Sequence, residues 1–139
     1  MNGQFVTVGY RYTRTGGSSP TSYSRPWISY STDGTTWTTA EIADNTLGTI
    51  TTCVYKDGKY VYGTTKGYIL SSTNHDDVAS VTQLATVDIF LALCGDTIIA
   101  LTKTGEVYTS PMSTMSDTSW TQMTTVGTDL TMKGLFSND

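Results

Sequence analysis

Ser80-Val81-Thr82-Gln83-Leu84-Ala85-Thr86-Val87 and Ser119-Trp120-Thr121-Gln122-Met123-Thr124-Thr125-Val126 are two copies of one strand-like segment, set 39 residues apart. A third relative, Thr36-Trp37-Thr38-Thr39-Ala40-Glu41-Ile42, precedes them. Outward from each copy runs the same order of short alternating segments. Turn dipeptides break them every few residues, and no helical periodicity intervenes.

The middle unit is the clearest. Thr49 to Lys56 reads as a strand, Asp57-Gly58 as a tight hairpin, and Lys59 to Thr64 as the second strand. Lys66-Gly67 turns into Tyr68 to Ser72, and Ser80 to Thr86 is the fourth strand. The next unit repeats this with Asp88 to Cys94, Gly95-Asp96, Thr97 to Thr102, Thr104-Gly105, Glu106 to Ser110, and a strand at Trp120. The first unit enters on a second strand, Gln4 to Tyr10, followed by Trp27 to Ser31 and Thr36 to Ile42. Its missing first strand is matched by Leu130 to Phe136 at the other terminus. Four-stranded units recurring at about 40 residues are the signature of β-propeller blades. The expected fold is therefore all-β, a single domain over 1–139 with three blades per chain. Blade one takes 4–42 plus 130–136, blade two 48–87 and blade three 88–126. The expected core is Val6, Val8, Trp37, Val54, Val61, Ile69, Leu91, Leu93, Ile98, Ala100, Val107 and Trp120.

Composition narrows the function classes. Only 14% of residues are charged, and the net charge is −4. Nucleic-acid binding needs clustered Lys and Arg, so no nucleic-acid partner is expected. No apolar run is long enough for a membrane helix, and the N-terminus lacks the pattern of a secretory signal. The compartment stays open between virion, extracellular surface and cytoplasm. Cys53 and Cys94 sit at different distances from their turns and read as buried free thiols.

Ser31-Thr32-Asp33-Gly34-Thr35-Thr36-Trp37 resembles an Asp-box, the S-x-D-x-G-x-T-W turn (BNR repeat) of sialidase-like β-propellers, one residue short of the full pattern. The resemblance gives Ser31, Asp33, Gly34 and Trp37 structural roles. Asp33 holds turn backbone, Gly34 takes the tight conformation, and Trp37 packs between blades. It puts this turn on the face opposite the ligand site. The other two units match more weakly, through Ser72 in the middle one and Ser110 and Trp120 in the last.

All three arginines, Arg11, Arg14 and Arg25, flank one long connection between Thr13 and Pro26, together with Tyr12, Tyr23 and Trp27. Arginine and aromatics beside a long loop on a compact scaffold make this the expected ligand-binding surface. Asp44, Asp88 and Asp129, between units, read as turn-capping residues. Sialidase chemistry in the resembling family uses arginines on separate blades and a Tyr–Glu pair. Here the arginines share one segment, and glutamate occurs only at Glu41 and Glu106. His75, in an exposed-looking Asn74-His75-Asp76-Asp77 turn, has no nucleophile at suitable spacing. No catalytic residue, metal site or cofactor is expected.

The leading functional expectation is a non-catalytic recognition module for a glycan or surface receptor, in the Thr/Ser/Gly-rich style of phage-tail or bacterial surface proteins. The alternatives are a structural half-propeller and a fragment of a sialidase-like glycoside hydrolase. Three blades cannot close an ordinary ring of about four to eight. A homodimer of six blades is expected, with 130–136 of one chain exchanged onto Gln4 to Tyr12 of the other.

Overall fold

The computed structural model of the chain describes residues 3–126. Eleven strands form three antiparallel sheets, with no helix among the described residues. The first sheet holds β1 (Phe5–Arg14), β2 (Ser22–Ser31) and β3 (Thr38–Glu41) in that order. The second holds β4 (Ile50–Lys56), β5 (Lys59–Thr64), β6 (Tyr68–Ser72) and β7 (Ala79–Gln83). The third holds β8 (Ile89–Cys94), β9 (Thr97–Thr102), β10 (Glu106–Pro111) and β11 (Thr121–Thr125). Each sheet is a blade-like meander, as the repeat requires. The expected strand Leu130 to Phe136 lies outside the described residues.

Turn chemistry sets the registers. Asp57 (φ 50°) and Gly58 (φ 83°) both take positive φ, the two-residue turn that matches strand twist, and Lys56 pairs with Lys59 across it. Gly67 (φ 76°) is required in a second way. A Cβ there would strike the backbone carbonyl of Ala85.

The sheets pack face on face in series. Alternation along β5 sends Tyr60 and Tyr62 to one side and Val61 to the other. The first side joins Ile28, Ala40, Leu47, Ile50 and Leu70 in a core between sheets one and two. The second joins Ile69, Ile89, Leu91, Ile98, Ala100 and Met112 between sheets two and three. Val6 and Val8 pack against the first core, and Val54, Leu93 and Trp120 against the second. Val107, expected in the core, lies at intermediate exposure on the face of β10 turned away from sheet two.

Side chains also bond one sheet to the next. β1 lies beside β4, and β4 beside β8. The edge of β8 has no strand partner on the β4 side. There Thr51 donates its hydroxyl to the Ile89 carbonyl, and Thr52 Oγ1 accepts the Leu91 amide at 3.0 Å. Gly63 lets the sheets close this far, since a Cβ would stand 2.8 Å from the Ile89 oxygen.

Four further residue expectations need correction. Trp37 is 44% exposed, because the face of sheet one on which it sits is not covered by the other described sheets. Cys94 is exposed at the end of β8. Cys53 is partly buried, and desolvation pushes its thiol up to about 12. Both thiols are free. His75, far from exposed, is 1% accessible.

Candidate binding site

Strand direction places the connections at two ends. The β1–β2 tip, the Asn45–Thr49 segment and the Thr65–Gly67 turn share one end. The Ser31–Trp37 and Ser72–Val78 turns share the other.

Half of the long connection from Thr13 to Pro26 is ladder. β1 and β2 stay in register from Phe5↔Ser31 to Arg14↔Ser22, so they form an arm of ten residues per strand. Only 15–21 lie outside it. That tip is closed by the Thr15 amide donating to the Thr21 carbonyl (2.8 Å) and the Thr21 amide donating to Thr15 Oγ1 (2.9 Å).

Pleating divides the expected site residues between two faces of the arm. Arg11 and Arg25 are cross-strand partners, and Trp27 lies one bonded step further on the same face. Glu41 of β3 receives both guanidinium groups, Arg11 at 3.1 Å and Arg25 at 3.3 Å. Arg11 also sits 5.6 Å from the centre of the Trp27 ring, and Arg25 4.7 Å from that of Tyr23. These ion pairs and cation–π contacts are partly solvated, each worth under about 1 kcal/mol, so they stiffen the face more than they stabilise the fold. The Arg25 Nε atom is buried without a partner.

Tyr12 and Arg14 alternate onto the other face. Tyr12 is 59% exposed and overhangs a cleft of about 500 Å³. Its walls are Ser22, Tyr23 and Ser24 of the arm, Asn45, Gly48 and Thr49 of the connection, and Thr65 and Lys66 of the turn. Gly48 (φ +82°) keeps it open, since any Cβ would press into Thr65 Oγ1. Asp44 fixes the connection by accepting from the Thr46 amide (2.8 Å) and hydroxyl (2.6 Å), and these bonds lower its pKa. The cleft thus offers hydroxyls, an amide, an ammonium and a phenol ring. Among the described residues no carboxylate lines it.

At the opposite end, two turns share one hydrogen-bond pattern. Ser31 Oγ accepts the Gly34 amide (2.9 Å), and Asp33 Oδ1 accepts the Thr35 and Thr36 amides (2.8 and 2.7 Å). In the middle unit Ser72 Oγ accepts the His75 amide (2.6 Å), and Asn74 Oδ1 accepts those of Asp76 and Asp77 (2.9 and 3.2 Å). Gly34 (φ 77°) and His75 (φ 72°) hold the same left-handed conformation. Backbone donors hold the Asp33 carboxyl well below the usual range; the Ser72 and Thr73 hydroxyls chiefly do so for Asp77. Both acids spend their charge on the turn. Trp37 closes the first turn by donating Nε1 to the Gly34 carbonyl at 3.3 Å.

Of the six expected ligand residues, Arg11, Tyr23, Arg25 and Trp27 are brought together. Tyr12 faces the cleft, and Arg14 lies at the arm's tip on the Tyr12 side. The cleft's far wall was missed, though strand direction alone carries it to the same end as the arm. The Ser72 turn matches the sequence pattern only through its serine, because Asn74 and His75 stand where the pattern has Asp and Gly. Glu41 is held by arginines and Glu106 by the Thr102 and Thr104 hydroxyls (3.2 and 3.3 Å). No group of three His, Cys, Asp or Glu side chains placed to hold a metal occurs among the described residues. No family model, curated protein or solved structure matches the chain.

Proposed function

We propose that this chain is a non-catalytic recognition module that binds a glycan in the cleft beneath the β1–β2 arm. The carrying observation is the lining itself. An exposed tyrosine ring beside Ser, Thr, Asn and Lys side chains suits the apolar face and hydroxyl edge of a sugar ring. Glycoside hydrolysis uses a pair of carboxylates, and the described residues of that lining supply none in support of it. The arginine face beside it gives the arm a rigid base. A glycan array on the wild-type chain tests the reading, with Tyr12→Ala and Lys66→Ala on any hit. Each substitution is expected to weaken binding at least about tenfold, the worth of one good contact. Unchanged affinity in both variants, or turnover of a fluorogenic sialoside, overturns it.

A second reading, assembly, is favoured by the open inner edge of β1. β1 pairs with β2 alone among the described residues. The serial packing and the two matching serine turns support three consecutive blades of a sialidase-like propeller. In that reading 130–136 of a second copy completes the first blade, and two chains close a six-bladed ring.

A further inference from the structure

We infer that the free edge of β3, with the groove that His75 lines, is a docking site for an extended neutral-to-basic peptide strand. The groove holds about 400 Å³ between β3 and the Ser72 turn. His75 stacks on Tyr30 with ring centres 4.6 Å apart and lies 4.1 Å from Tyr60. Its Nδ1 is 2.6 Å from the Tyr62 hydroxyl.

The surrounding network assigns the tautomer. Ser72 Oγ gives its proton to Asp77 and accepts the Asn74 and His75 amides, so its hydroxyl is fully used. Tyr62 therefore donates to Nδ1, and the ring carries its own proton on Nε2. That Nε2 is buried and has no hydrogen-bond partner. An unanswered buried donor is destabilising, and an acceptor brought by a ligand would recover that cost.

β3 supplies the rest. Ile42 donates its amide to Pro26, so residues of its parity are bonded to β2. The amides and carbonyls of Thr39 and Glu41 then point the other way, on the side of the strand with no partner strand among the described residues, and both residues line the groove. A row of unpaired backbone groups beside a fixed donor is the requirement for strand addition. β7 and β11 also end their sheets; beside β11 the buried Trp120 Nε1 is likewise unanswered, but that side chain packs against the core between sheets two and three. Charge selects the occupant. Glu41 is already held by Arg11 and Arg25, so Asp76 is the one carboxylate among the described lining residues that stands outside an ion pair, and no Lys or Arg lines the groove.

The test is ¹H–¹⁵N NMR of the intact chain titrated with the blocked alternating Thr-Lys hexapeptide, against the Thr-Glu peptide as control. The Thr-Lys peptide is expected to shift the Thr39 and Glu41 amides and to slow exchange of the His75 Nε2 proton. Thr39→Pro removes one outward N–H from an edge that tolerates proline. His75→Asn keeps the left-handed backbone and removes the donor. Each should weaken binding at least about tenfold, and if His75→Asn fails to fold, Thr39→Pro decides. Silence toward the peptide, an equal response to the Thr-Glu control, or shifts that grow with protein concentration alone would each overturn the proposal; the last would mean a second copy on this edge. Glycan binding at Tyr12 is a separate readout, so either site can fail alone.

Discussion

Single residues set the response to acid. Burial lowers the pKa of His75 from 6.5, against the opposing pull of Asp76 and Asp77. The unfolded chain therefore takes up its proton first as pH falls. Stability should decline as pH drops through 6.5 toward the lower folded value, and hold above it. Asp33 and Asp77 act in a separate window. Their folded pKa values lie below 3.8, so their contribution is present above 3.8 and is lost as pH falls through the folded values. Urea unfolding across pH 3 to 8 should show two declining limbs. His75→Asn should flatten the upper one, and Asp77→Ala the lower. A single limb, or an upper limb unchanged in His75→Asn, would contradict this account. The burial of His75 was not legible in the sequence. A lone histidine between polar residues reads as solvated, and only the approach of Tyr30 and Tyr60 encloses it.

At the scale of elements, backbone approach decides which glycines are replaceable. Gly67→Ala would combine left-handed strain with a clash on the Ala85 carbonyl, a cost of about 3 kcal/mol. Gly95→Ala, with open space around its Cβ site, meets the strain alone and should cost about 1 kcal/mol. Chemical denaturation of the pair measures the difference. Ile69→Ala, in the core between sheets two and three, should cost about 2–5 kcal/mol. The strands and their order were legible because turn dipeptides and period-two alternation are local signals. Val61, Ile69, Leu91, Ile98 and Ala100 followed from that alternation. The inner half of the arm is legible as the strands Gln4 to Tyr10 and Trp27 to Ser31, whereas its outer half reads as a loop because Gly16-Gly17-Ser18-Ser19-Pro20 dominates the segment, although Tyr12 and Tyr23 favour a ladder. Its division into two faces needs the register Arg11↔Arg25, which composition does not carry.

For the whole molecule, two cores sit on opposite faces of the middle sheet, while sheets one and three each turn one face outward. Phe5 and Trp37 are exposed on the first, and Ile99 and Val107 lie half-buried on the third. If a second copy completes the assembly, light scattering at micromolar concentration should return twice the 15.0 kDa chain mass. Truncation after Thr128 should return the single-chain mass or aggregate. A folded 15.0 kDa species for the intact chain would rule that assembly out. The threonine pair between β4 and β8 bears on the same geometry. Thr51→Val keeps the side chain's shape and deletes the bond to Ile89, at a cost of about 1–2 kcal/mol. Between sheets two and three, two threonine hydroxyls tie the strand edges of β4 and β8, and the apolar core fills the faces beside them. If the proposed ring closes, the angle at which one panel leans on the next would set how many complete the circuit. Thr51 and Thr52 would then bear on the circuit's size as well as on stability.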